Sequence, residues 1–243
     1  MNIMIALTLA GFVASFTAAT VGVGGGLLVM PLLALLYTPR MVVASSAPMF
    51  WASAMVTFYL YRKRFNTKRV WMVIPGVIAG IFIGTVIVQH ASPKVLQWVI
   101  GGVALSFALI SIVLRPKPGK TSRFLPNWTG TPISVVAGVV SALSNIGGTL
   151  LSVFLISDEI RPEVFVGGIA FLYVIMTTLK MVLFTVVGIL TRQDLLWSLP
   201  SIFSIVVGAL LGRHVNHKIS ALHLRWIVIS VVGISSIMLF IKR

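Results

Sequence analysis

Eight long apolar segments follow one another along this chain, at residues 3–37, 41–61, 70–89, 95–114, 133–156, 164–190, 195–212 and 222–241. A helix that crosses the hydrocarbon core of a bilayer needs about 20 consecutive apolar residues. The eight segments meet that need with mostly short polar connections between them. The chain is 58% hydrophobic and only 9% charged, with a mean hydropathy of +1.07. A water-soluble domain carries roughly 25% charged residues, so too little polar surface remains to coat a globule in water. The pattern predicts an all-α polytopic membrane protein.

Charge supports the same class. Lys and Arg number 19 against 4 Asp and Glu, and the pI is near 11.4. In a soluble protein that balance would suggest a nucleic-acid partner. Here the basic residues stand in short runs between apolar stretches, such as Arg62-Lys63-Arg64 and Lys68-Arg69. This is the pattern of cytoplasmic loops under the positive-inside rule, and no nucleic-acid partner is expected. The chain has no cysteine, which excludes disulfides, thiolate metal sites and cysteine nucleophiles. Residues 1–20 resemble the apolar core of a signal peptide, but they lack a basic start and run on into the next apolar stretch. They are read as retained.

Two segments are broken. The first contains Gly22-Val23-Gly24-Gly25-Gly26 and Pro31, and the fifth contains Asn145-Ile146-Gly147-Gly148. Broken helices survive in a membrane only where protein or a wet cavity satisfies the freed backbone groups. The longest polar stretch divides the chain into a first repeat at 1–115, a basic cytoplasmic linker at 116–130 and a second repeat at 131–243. The repeat is visible in register. Gly24-Gly25 and Leu27-Leu28 return 123 residues later as Gly147-Gly148 and Leu150-Leu151, and the same offset pairs Pro39 with Pro162 and Ala47 with Ala170. An offset of 128 pairs Gly80, Gly84, Ser92, Leu96 and Trp98 with Gly208, Gly212, Ser220, Leu224 and Trp226. Two homologous four-segment halves with matching breaks point to a transporter binding site at those breaks.

The run Gly22-Val23-Gly24-Gly25-Gly26-Leu27-Leu28-Val29-Met30-Pro31-Leu32-Leu33 resembles the signature of the TauE/SafE family of sulfite exporter-like anion permeases. Gly208-Ala209-Leu210-Leu211-Gly212-Arg213 with Ser220 resembles the family's seventh segment, and Pro75, Gly80, Gly84 and Ser92-Pro93 resemble the matching parts of the first half. Asn145, Thr149 and Phe154 depart from the pattern of the first break. The resemblance implies transport of small sulfur-containing anions across a bacterial plasma membrane.

Two topologies fit the pattern. If every segment crosses once, the halves are parallel repeats; if segments one and five are re-entrant hairpins, the halves are inverted. Both place the basic loops at 62–69 and 115–123 in the cytoplasm. The length of residues 3–37 favours hairpins.

Lys180 is the most informative single residue, because it lies inside an apolar segment. An ammonium near mid-membrane costs roughly 2.5–3.5 kcal/mol on insertion scales, so it should face a cavity or a partner. No carboxylate lies inside an apolar segment: Asp158, Glu159, Glu163 and Asp194 stand in loops or at segment ends. An anionic substrate is then the natural partner, and lysines at this place are common in the resembled family. The alternative is a lysine that snorkels toward the membrane surface. Gly24, Gly25, Gly26, Gly147 and Gly148 allow backbone N–H groups at helix N-termini to face an anion, or else allow close helix packing. Asn145 and Thr149, with Thr20, Ser144, Ser45 and Ser46, add neutral donors suited to an oxyanion. Ser53 fits helix–helix hydrogen bonding better. His90, His214, His217 and His223 are scattered, and no metal site is expected. Tryptophans Trp51, Trp71, Trp98, Trp128, Trp197 and Trp226 stand mostly near segment ends, as interfacial anchors do.

The reading that follows is a secondary transporter, with an export direction, for sulfite, thiosulfate or an organosulfonate. A channel or a scaffold subunit without transport would use the same segments, and self-association into a homo-oligomer is compatible with either. The small anion and the lipid bilayer are the expected partners. A membrane enzyme would need clustered acid, base or nucleophile groups, and none is present. No nucleotide-binding motif or cofactor site is found, and with no carboxylate in the membrane no acidic proton relay is expected.

Overall fold

A computed structural model describes residues 2–22, 25–62, 67–113, 130–155, 162–215 and 221–241. The polar linker expected at 116–130 lies outside these residues except for its last position, as do the loop acids Asp158 and Glu159 and the repeat position Ser220. The described residues contain eleven α-helices and no strand: α1 Ile3–Val21, α2 Gly26–Leu36, α3 Pro39–Tyr61, α4 Thr67–His90, α5 Pro93–Val113, α6 Gly130–Ser144, α7 Gly147–Leu155, α8 Pro162–Val186, α9 Arg192–Ser198, α10 Ser201–Val215 and α11 Ala221–Ile241. Pro39, Pro93 and Pro162 each open a helix, where a missing N–H costs nothing.

The chain is a membrane protein turned inside out relative to a soluble one. Phe82, Ile83, Phe203 and Ile241 are exposed, while Ser15, Ser45, Ser46, Ser144, Thr149 and Lys180 are buried. Hydrocarbon tolerates the first group and the protein must satisfy the second. Helices α1, α3, α4 and α8 are each long and apolar enough to cross a bilayer, and α9 with α10 makes a fifth candidate if the bent pair is one span.

More helices appear than apolar segments because three segments divide. The first divides at Gly22–Gly25 and the fifth at Asn145–Ile146, as the sequence suggests. Pro31 does not add an interruption: it lies within α2, which continues through it. The seventh segment, expected to be continuous, divides before Ser201, and α9 and α10 meet at 47°. Leu199 keeps helical dihedrals, but Pro200 has no N–H to continue the helical ladder onto the Leu196 carbonyl. Tight bonds from Leu199 N to Leu196 O and from Ile202 N to Leu199 O mark the corner.

At both glycine breaks the chain doubles back. A side chain added at Gly25 would collide with Ala14, and one at Gly147 with the carbonyl of Ala137. In a straight helix residues ten or eleven apart would stand about 15 Å from one another. Helices α2 and α7 have 11 and 9 residues, so at 1.5 Å per residue they reach about half of a roughly 30 Å core. Such lengths suit hairpin arms better than full crossings.

The two sequence halves are interlocked. Helix α10 packs along α1, α4 packs along α6, and α3 packs along α8. Glycine makes the first two approaches close: Gly208 and Gly212 lie against the carbonyls of Phe12 and Phe16, and Gly80 and Gly84 against those of Val135 and Val139. Gly84→Val should therefore strain the α4–α6 contact, since even its Cβ would meet the Ala142 Cβ at 2.6 Å. Overpacking of this kind costs about 1–3 kcal/mol. Thermal unfolding in detergent should show a lowered midpoint for Gly84→Val and none for Gly102→Ala, where nothing lies within 4 Å of the added methyl. Equal midpoints for the two variants would contradict the close packing.

Candidate substrate site

The breaks are brought together by the fold. Gly22 ends α1 in the left-handed conformation, with φ 71°, and its N–H donates to Ala18 O at 3.0 Å. Asn145 ends α6 in the same way, with φ 56°, and donates to Ser141 O at 3.0 Å. Among non-glycine residues Asn is one of the few that adopts this conformation readily. The next helices then start at the centre of the bundle. Gly26, the first residue of α2, lies directly against the backbone carbonyl of Asn145. Gly147 packs on α6 and Gly148 on the ring of Tyr173 from α8. Gly24 lies outside the described residues.

Lys180 closes this arrangement from α8. It is 1% exposed, and its Nζ donates to Asn145 Oδ1 at 2.6 Å and to Ser141 O at 3.0 Å. The Phe184 ring lies 4.8 Å from the same nitrogen, a cation–π distance. The ammonium thus stays in the interior and does not snorkel. Its partners are the C-terminal end of α6 and the amide of Asn145, whose Nδ2 donates in turn to Ser46 Oγ at 2.9 Å. Positive charge near a helix C-terminus is favourable.

The donors named from sequence divide into two groups. Asn145 accepts from Lys180 directly and Ser46 joins it only through Asn145 Nδ2, while Thr20 and Ser144 use their hydroxyls on helix carbonyls, Phe16 O and Val140 O. Thr149, in the first turn of α7, is fully buried, and its Oγ1 has no hydrogen-bond partner among the described residues. A buried hydroxyl without a partner is costly, and its place at a helix N-terminus suits an anion. Ser53 makes no helix–helix hydrogen bond among the described residues; it lines a narrow cleft between α3 and α8, together with Gly22, Gly25 and Thr57. Thr57 was not evident as a site residue, although it stands 123 positions before Lys180.

One expectation is corrected. Asp194 stands at a segment end but is buried, 5% exposed. Ser45 Oγ donates to its Oδ1 at 2.6 Å, and Thr191 donates its N–H and hydroxyl to Oδ2 at 3.0 and 2.6 Å. A carboxylate therefore does enter the protein interior. It is held as the third residue of a capping box on α9, whose helix start supplies the donors. No group of three or more His, Cys, Asp or Glu that could hold a metal is found among the described residues. His217 and His223 have side chains outside those described, as do Trp128 and Trp226.

The Lys180–Asn145 bond is testable as a coupled pair. Lys180→Met leaves two buried oxygens short of a donor, and Asn145→Gly keeps the left-handed backbone but removes an acceptor. Each should cost about 1–3 kcal/mol of stability. The double variant should cost at least about 1 kcal/mol less than the two losses added together, as interacting neighbours do. Additive losses in unfolding measurements would mean that the bond contributes nothing.

A search of curated proteins and of solved structures finds no match. A family model described as sulfite exporter TauE/SafE matches residues 7–239. That span takes in both breaks, Lys180 and all but the ends of the chain, so the protein belongs to the TauE/SafE family of exporter-type membrane transporters.

Proposed function

We propose that this chain is a secondary transporter that exports a small sulfur-containing anion, sulfite, thiosulfate or a short organosulfonate, across the bacterial inner membrane. The observation that carries the reading is the meeting of the two breaks, with Gly26 of α2 seated on Asn145 and Lys180 bonded to that same residue. The two halves act as structural repeats on either side of this centre. The first N–H groups of α2 and α7 have no partner within their own helices, and both helices start here. They are the donors that face the anion, aided by the Thr149 hydroxyl, which has no hydrogen-bond partner among the described residues. The Lys180 ammonium supplies the positive charge nearby and holds the second break in shape.

Transport follows from a site that holds its anion by dipoles and neutral donors. Such a site compensates charge without trapping it, because no mobile basic side chain has to let go. Rocking of α3 and α8 with their attached hairpins would then open the centre to one side or the other. Basic loops on the cytoplasmic face raise the local anion concentration at the entrance. The family is one of transporters, and no catalytic constellation is invoked.

Flux of sulfite, thiosulfate, sulfate and methanesulfonate into proteoliposomes tests this. Saturable uptake with counterflow is expected for at least one reduced-sulfur anion or sulfonate. Thr149→Val should raise its half-saturation concentration about two- to tenfold, the worth of one hydrogen bond of about 0.5–1.5 kcal/mol. Linear flux without counterflow would overturn the carrier mechanism in favour of a channel. Saturable flux untouched by Thr149→Val would remove the second break from the site.

A further inference from the structure

The Asp194 carboxylate uses its two oxygens on different parts of the bundle. Oδ2 takes the N–H and the hydroxyl of Thr191, at 3.0 and 2.6 Å, and completes the capping box at the start of α9. A capping box is served by those bonds alone. Oδ1 takes the Ser45 hydroxyl from α3 at 2.6 Å, a bond between residues 149 apart in sequence. Ser45 is followed by Ser46, and both are fully buried. With 3.6 residues per turn, neighbours on a helix point about 100° apart, so the two serines grip different partners. Ser46 Oγ accepts from Asn145 Nδ2 at 2.9 Å and lies 3.5 Å from the Met30 sulfur of α2. Asn145 in turn accepts from the Lys180 ammonium at 2.6 Å. Consecutive residues of α3 thus hold the second break on one side and α9 on the other. The positions 123 residues after these serines are Gly168 and Ile169, so the repeat does not carry the arrangement into the other half.

We propose that Asp194 is a positioning residue for the second break: through Ser45 it fixes the part of α3 that presents Ser46 to Asn145. Helix α3 needs such a fixture at this place. Pro48 lies within the helix and offers no N–H to the Ala44 carbonyl, so the turn that carries Ser45 and Ser46 is one internal bond short. Helices bend at such prolines, and bonds from outside then set where the turn sits. Ser46 donates its own hydrogen back to the Val42 carbonyl at 2.5 Å, which leaves its lone pairs for the Asn145 amide. The chain between the two ionisable residues closes in a tight turn. Gly188 takes φ 76°, and the N–H groups of Ile189 and Leu190 return to the carbonyl of Phe184, at 2.8 and 3.0 Å, one turn of α8 beyond Lys180. One hairpin from the end of α8 therefore holds α3 at two consecutive residues, through Asp194 directly and from Lys180 by way of Asn145. With Ser45 released, Asn145 and the start of α7 shift, and an anion there meets misplaced donors. Only this effect on the anion rests on the transporter reading above; the link between Asp194 and the break does not.

Two substitutions strip one hydroxyl donor each from the same carboxylate: Ser45→Ala at Oδ1 and Thr191→Val at Oδ2. In proteoliposomes Ser45→Ala should raise the half-saturation concentration of the transported sulfur anion about three- to tenfold. Thr191→Val, which weakens only the α9 cap, should leave it unchanged. Ser45→Cys, with the weaker donor of a thiol in nearly the same shape, should fall between the parent and Ser45→Ala. A purely structural Asp194 predicts that the variants behave alike, with less folded transporter, a lower maximal rate and an unchanged half-saturation. A second readout needs no substrate. In unfolding of the purified full chain in detergent, Ser45→Ala and Asn145→Gly should be coupled by about fivefold or more in the unfolding constant, as members of one hydrogen-bond network are. Thr191→Val and Asn145→Gly should be additive. Additive losses for Ser45→Ala with Asn145→Gly overturn the proposal, as does a half-saturation that moves equally in Ser45→Ala and Thr191→Val. Coupling in unfolding, with no saturable flux of any sulfur anion by the parent, would uphold the link to the break and remove the transport reading.

Discussion

Hydrocarbon offers no hydrogen-bond partner, so a helix that stops partway across a membrane leaves four N–H groups or four carbonyls at each end for the protein itself to satisfy. This chain stops twice, at Gly22 and at Asn145, and the remainder of the bundle is arranged around those two ends. At the second, Lys180 and Ser46 reach in from α8 and α3 to the Asn145 side chain, with bonds of 2.6 and 2.9 Å. A lysine in a membrane protein is commonly taken as a charge awaiting a ligand. Here two of its donor positions are taken up inside the protein, one by the Ser141 carbonyl and one by the Asn145 side chain.

Asp194 shows the same logic with the opposite sign. Its carboxylate is buried, yet it faces a helix start and two hydroxyls, and no basic side chain is needed to hold it. Dipoles of backbone and hydroxyl groups take the place of counter-charges at both ionisable residues. A bundle organised in this way can change shape without breaking ion pairs, whose separation in a dry interior would be costly.

The gross architecture was legible in the sequence because the membrane imposes it. Apolar length gave the helices, and glycine runs at Gly22–Gly26 and Gly147–Gly148 gave the two breaks. The importance of Lys180 was legible for the same reason: a charge within an apolar run demands a partner. Its partner was not, because Ser141 and Asn145 meet it through a turn in the chain that no local pattern encodes. The corner before Pro200 was missed because a single proline is weak punctuation in a membrane helix; Pro31, Pro48 and Pro75 all lie inside continuous helices. Asp194 looked like a loop acid because its burial depends on α3, 149 residues away in sequence. Thr57 carries no signal of its own and becomes informative only when it is set beside Lys180.

The exchange of partners between the halves has a consequence for how the chain is made. Helix α1 finds its long contact with α10, and α4 finds its own with α6, so each half lends a helix to the other. Synthesis proceeds from the N-terminus at about 5–20 residues per second. The Gly208 and Gly212 surface that α1 needs therefore emerges on the order of ten seconds or more after α1 itself. During that interval Ser15 and Thr20 face lipid or translocation machinery in place of their final neighbour. The first half is thus an incomplete object, a guest waiting in the membrane for its host. A gene split at the linker would be expected to yield stable protein only when both pieces are made in the same cell.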